Sequence, residues 1–193
     1  MPALEEYLEL VERLGSGGIN RSENDLSSNL KNALSSFGLF GVIDTGGGNN
    51  RIKRPDIALY TDLYSADISA AAEVVLEAKK PIELSSYASL KEAVVSDDIF
   101  AGKLVPYVSA HAERVQLFIL TTFDRFLVCP IDAVMRAQLA AVPVSNVAAL
   151  KAQISRDATE YDLGTNDGRD GFVAWVGELS PEVLAPPSPL FNH

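Results

Sequence analysis

The run Val74-Val75-Leu76-Glu77-Ala78-Lys79 constrains the fold more than any other segment of this chain. Three aliphatic residues in succession read as a strand covered on both faces, at the centre of a sheet. A carboxylate then closes the strand and an ammonium follows two residues later. Residues i and i+2 of a strand point to one face, so Glu77 and Lys79 share a face and Ala78 takes the other. Arg54-Pro55-Asp56-Ile57-Ala58-Leu59-Tyr60 reads as the neighbouring strand. The polar break between the two runs has the length of a hairpin. It brings Asp56, at the start of one strand, to the sheet end where Glu77 and Lys79 close the other. Two carboxylates and a lysine there suit a hard divalent cation with an ammonium beside it, which is phosphodiester-hydrolysis chemistry.

The plainer alternative is an Asp56–Lys79 or Glu77–Lys79 ion pair on an exposed strand end. Position favours the site. Glu77 terminates a core strand, where an unpaired carboxylate is costly to bury, so an acid there has a cation or a hydrogen-bond partner.

The surrounding elements form an α/β pattern. Leu4, Tyr7, Leu8, Leu10, Val11 and Leu14 have helical spacing, ended by Gly15-Ser16-Gly17-Gly18. Ser22 with Glu23 and Asp25 opens a second helix, whose stripe is Leu26, Leu30, Ala33, Leu34 and Phe37, with Gly38 as its C-cap. Phe40 to Thr45, Ile52 to Tyr60 and Ala71 to Lys79 read as strands, separated by the Gly46-to-Asn50 turn and the polar stretch from Thr61 to Ser69. Ser86 to Val108 reads as largely helical, with a break near Ser96-Asp97 and an end at Pro106. Val115 to Thr121 and Arg125 to Cys129 form a hairpin through Thr122-Phe123-Asp124. Helices follow from Pro130-Ile131-Asp132 to about Ala141, and from Asn146 to about Ile154. Gly164 to Gly171 reads as turn, Phe172 to Val176 as a strand or docking segment, and Ala185-Pro186-Pro187-Ser188-Pro189 as linker.

Composition narrows the function classes. The formal net charge of −10 disfavours strong autonomous binding to nucleic acid, which rests on basic residues neutralising phosphates. If DNA is the substrate, another part of the protein delivers it. No window reaches about 18 uninterrupted apolar residues, so no membrane partner is expected. The acidic start, with Glu5, Glu6, Glu9 and Glu12, is not a signal peptide. Cys129 lies in an apolar run and reads as a buried small hydrophobe, in keeping with a cytoplasmic setting. His111 reads as a surface-loop residue and His193 is terminal, so histidine-based and zinc sites are excluded. The glycine runs lack the lysine and hydroxyl of a phosphate-binding loop.

Pro55-Asp56 and Glu77-Ala78-Lys79, on strands that follow a helix, resemble the PD-(D/E)xK nuclease superfamily across roughly residues 20 to 130. Adding Arg21 to Leu26, Lys80 and Lys103 to Val108, the chain looks like the Mrr-like N-terminal nuclease domain of large single-chain restriction–modification enzymes. The resemblance implies a restriction-endonuclease-like core: a central mixed sheet of about five strands flanked by helices. It implies a nuclease domain over residues 1–180, with its core at about 20–140, and a linker over 181–193. Asp56, Glu77 and the Ala78 carbonyl would hold Mg²⁺, with Mn²⁺ as a substitute. Lys79 would position the attacking water, and Glu23 would reach the metal or its water. Arg51, Lys53, Arg54 and Lys80 would meet the phosphate backbone. Implied partners are double-stranded DNA, linked translocase, methyltransferase and target-recognition domains, and a second copy meeting transiently on DNA. Where the family often carries glutamine, this chain has Lys103, to which no catalytic role is assigned. Two further readings stay open: a nuclease-like fold used only for DNA binding or assembly, and a small stand-alone nuclease.

Overall fold

A computed structural model describes residues 2–15, 23–35, 38–43, 55–61, 72–179 and 181–184. Helix α1 (Pro2–Gly15) buries Leu4, Tyr7, Leu10 and Val11. Helix α2 (Glu23–Ser35) buries Leu26, Leu30, Ala33 and Leu34. Both stripes enter one apolar cluster, as the three-to-four spacing of their residues requires. Gly38 takes φ 90°, a conformation glycine adopts without steric cost, and returns its N–H to the Ser35 carbonyl.

Six strands form one mixed sheet: β1 (Phe40–Ile43), β2 (Ile57–Tyr60), β3 (Val74–Ala78), β4 (Leu117–Thr121), β5 (Arg125–Pro130) and β6 (Thr159–Asp162). They lie side by side in sequence order. Only β3 and β4 pair in parallel. All five residues of β3 are buried, as its apolar run predicts for a central strand. The expectation of about five strands is one short. Thr159-Glu160-Tyr161-Asp162 is too polar to announce itself, and serves as an edge strand paired with β5.

A parallel pair needs a crossover, and here it is segmented. A 3₁₀ turn (Pro81–Leu84) leads to α3 (Leu90–Val94), α4 (Asp97–Ile99), a π-helical turn (Phe100–Leu104) and α5 (Val105–Ala110). The break expected near Ser96-Asp97 is real: Ser96 Oγ accepts from Ile99 N and restarts the helix. Pro106, however, does not end it. It sits in the first turn of α5, where no backbone N–H is needed, and that helix runs on to Ala110.

Helices α6 (Ala133–Ala140) and α7 (Val147–Asp157) follow β5, while α8 (Asn166–Glu178) and α9 (Pro181–Leu184) follow β6. Two apolar clusters cover the sheet. One gathers α1, α2 and α8 against Ile57, Leu59, Val74, Leu76 and Ala78. The other gathers α3 to α7 against Ala58, Tyr60, Val75, Phe118 and Leu120. Residues alternate between the clusters along β2 and β3. Cys129 is buried in the second, and burial pushes its thiol up.

Two expectations are corrected at the C-terminal end. Phe172 to Val176 is neither strand nor docking segment, and the glycine-bearing stretch before it is not simply a turn. Gly164 and Thr165 do turn, but from Asn166 onward both stretches belong to α8, which Thr165 caps by accepting from Gly168 N, and which buries Phe172 and Val176. The glycines permit close approach. A Cβ on Gly168 would stand 2.1 Å from the Asp162 carbonyl oxygen. Gly168→Ala is expected to destabilise the protein by about 2 kcal/mol, through displacement of α8 from β6. Urea titration of both proteins checks this.

His111 is also not a loop residue free of the fold. It caps the end of α5, is half-buried, and its Nδ1 accepts from Ala72 N at 3.0 Å. Burial lowers its pKa. Among the described residues, no helix is long and apolar enough to cross a membrane.

Candidate active site

Register places the site. Ile57 pairs with Leu76 in the antiparallel β2–β3 ladder, so the next pair outward is Asp56 and Glu77. Residues directly opposite in such a ladder have neighbouring side chains on one face. Alternation puts that face on the α3–α7 side, with Ala58 and Val75. Asp56 Oδ2 accepts from Ala78 N at 2.7 Å, which fixes the aspartate against the end of β3.

Glu77 is fully buried and surrounded by this chain's own cations. Its Oε1 lies 2.6 Å from Lys79 Nζ and 2.7 Å from Lys103 Nζ. The two ammoniums compensate the charge on this oxygen. Its Oε2 accepts from the Tyr107 hydroxyl at 2.6 Å. Lys103 Nζ also donates to that hydroxyl at 3.3 Å.

Electrostatics follow from this packing. Burial and the neighbouring Glu77 charge raise the Asp56 pKa to about 6, against the opposing Ala78 hydrogen bond and the charges of Lys103 and Lys79. Burial works against the Lys79 ammonium, but contact with Glu77 and the charges of Glu77, Glu83 and Asp56 outweigh it. Its pKa is held above the ordinary lysine value.

The structure thus brings together Asp56, Glu77, Lys79 and the Ala78 backbone. Lys80 is exposed one step beyond Lys79, and its N–H donates to Glu83 Oε2 at 2.8 Å. Glu23 opens α2, which packs on the other face of the sheet, and its side chain lies outside what is described. Arg51, Lys53 and Arg54 lie outside the described residues. Two further groups touch Glu77: Lys103, to which the sequence assigned no catalytic role, and Tyr107, which it did not single out. Their four-residue spacing puts them on one face of the crossover, but does not say what that face meets.

Hard oxygen donors fit a magnesium ion. Among the described residues no group of three or more His, Cys, Asp or Glu gathers. Magnesium does not need one: it is bound by one or two carboxylates and keeps several waters. Two like charges held face to face, one with a pKa raised by the other, are what a divalent cation relieves. Glu77 Oε1, held by two ammoniums, is the oxygen for which such a cation would compete.

No protein-family model matches the chain, and no curated protein matches it. Among solved structures it is similar to a chain from a cryo-EM structure of a DrdV–DNA complex, with 16% identity and a TM-score of 0.46. The alignment covers 93% of this chain but only 14% of that one, and no residue role is carried over from it.

Proposed function

We propose that this chain is a Mg²⁺-dependent DNA endonuclease domain of a cytoplasmic restriction–modification or phage-defence enzyme, with its DNA address supplied by other domains of a longer polypeptide. The observation that supports it best is the facing pair Asp56 and Glu77 with Lys79 at the end of a buried central strand. Isolated ion pairs rarely place two acids opposite each other in a core ladder, because like charges there destabilise it.

When bound, Mg²⁺ supplies Lewis-acid polarisation of the phosphodiester and acidifies a water; Mn²⁺ substitutes for it. Asp56 and Glu77, with the Ala78 carbonyl, would hold the ion. The Lys79 ammonium orients the attacking water and donates to the phosphate oxygen on which charge develops. Tyr107 keeps Glu77 in place through Oε2. Lys80, Arg51, Lys53 and Arg54 meet the DNA backbone. The net charge of −10 supports delivery of the DNA by other domains. One site cuts one strand, so a double-strand break takes two copies meeting on DNA or two successive events.

A second reading, a nuclease-like binding or assembly module, draws on the neutralisation of Glu77 by Lys103. Cleavage of supercoiled plasmid by the parent polypeptide separates the two. Nicking in Mg²⁺ or Mn²⁺ is expected, absent in EDTA and lost in Asp56→Ala. Metal-dependent cutting that survives in Asp56→Ala would remove the site assignment, and no cutting by the intact protein would favour the binding module.

A further inference from the structure

Both oxygens of Glu77 are already engaged by side chains of this chain: Oε1 by Lys79 and Lys103, Oε2 by Tyr107. Without a metal the four charged groups balance, since Asp56 and Glu77 carry two negative charges and Lys79 and Lys103 two positive ones. A divalent cation arriving at Oε1 meets two ammoniums within hydrogen-bonding distance of the same atom. At such separations like charges repel strongly in a partly buried site. One of them has to leave.

Geometry selects Lys103. Lys79 is tied to β3 itself, and its N–H continues the sheet by donating to the Thr121 carbonyl at 2.8 Å. Lys103 reaches Glu77 from another element, the π-helical turn, a rare local widening that alters where a side chain points. Its side chain is 29% exposed against 21% for Lys79, so it has a path to water. The Tyr107 hydroxyl, four residues on, keeps its own bond to Oε2 and holds Glu77 when Lys103 departs.

We propose that Lys103 is a resident counter-ion of Glu77 which a divalent cation displaces, so that Lys103 sets the cation affinity of the site. This rests on the reading of Asp56 and Glu77 as a metal centre. The exchange is ionic: the Lys103–Glu77 contact breaks, a cation–carboxylate contact forms, and the ammonium passes to solvent or to a nearby phosphate. The built-in competitor keeps the site closed to cations at low concentration.

The test is Mn²⁺ binding to the full chain without DNA, followed by the electron paramagnetic resonance of the free ion. Lys103→Gln is expected to tighten Mn²⁺ binding about tenfold. Lys103→Met, without hydrogen-bonding capacity, does the same, and Lys103→Arg, which keeps the charge, stays near wild type. Thermal melts establish that each variant is folded. Asp56→Ala separates the two claims. Wild-type binding that depends on Asp56 but is unchanged or weakened in both Lys103→Gln and Lys103→Met would overturn the counter-ion role and leave the metal centre standing. No Asp56-dependent binding in any variant would overturn both.

Discussion

Glu77→Ala in metal-free buffer is expected to lower the melting temperature by about 6–12 °C, or about 3 kcal/mol for a chain of this size. The fully buried carboxylate balances two ammoniums and accepts from a buried phenol. Its removal takes away the carboxylate to which the Tyr107 hydroxyl donates, a loss of about 1–3 kcal/mol. Lys79 and Lys103 lose their counter-ion, though both are partly exposed and swing toward water, which moderates the penalty. Glu77→Gln keeps the volume and an acceptor for Tyr107, so it should cost less. Combining Glu77→Ala with Lys103→Met tests the charge argument. The double variant should be more stable than the sum of the single effects by about 1 kcal/mol, because one orphaned ammonium is gone. Unaltered melting of Glu77→Ala would mean that these contacts contribute nothing to the fold.

The same carboxylate shows why part of the site could be read from the chain and part could not. Asp56, Glu77 and Lys79 were legible because strands have a period of two, and because a hairpin leaves few registers that keep both apolar sets on their proper faces. The observed pairing of Ile57 with Leu76 is the register that sets the two acids opposite each other. Lys103 and Tyr107 come from a helix more than twenty residues further on. Their approach depends on how a broken crossover, with a π-helical turn in it, lies across the sheet. No local periodicity encodes that.

The misread elements have similar causes. Strand β6 carries Thr159, Glu160 and Asp162 at a sheet edge, where half the side chains face water and alternation is faint. The α8 helix carries Gly168 and Gly171, which read as turn but answer to the nearness of Asp162 and Tyr161. Pro106 reads as a stop although proline is equally at home in a first turn. Each is decided by tertiary neighbours that a short window of sequence does not contain.

Asp56→Asn should stabilise the metal-free protein while abolishing cleavage, and the gain should depend on pH. Asp56 has its pKa raised from 3.8 to about 6, by burial first and the Glu77 charge second. Below about pH 3 the carboxyl is largely protonated folded and unfolded alike, and contributes little difference. Between there and about pH 6 the unfolded chain releases the proton first, so native stability falls as pH rises. Above about 6 both states are ionised and the penalty is constant. Asparagine cannot ionise, yet its side-chain oxygen still accepts from Ala78 N. The variant should therefore match wild type below about pH 3 and exceed it at pH 7 by about 1–2 kcal/mol, after allowance for solvent screening of a half-buried group. Thermal melts in EDTA across that range measure the difference, and a gap that does not widen with pH would sink the argument. Cleavage should fall about a thousandfold, since a neutral amide replaces a charged ligand at the centre where transition-state charge is stabilised. Stability gained and activity lost at one atom pair is what a strained functional site predicts, because a purely structural aspartate would lose stability on the same substitution.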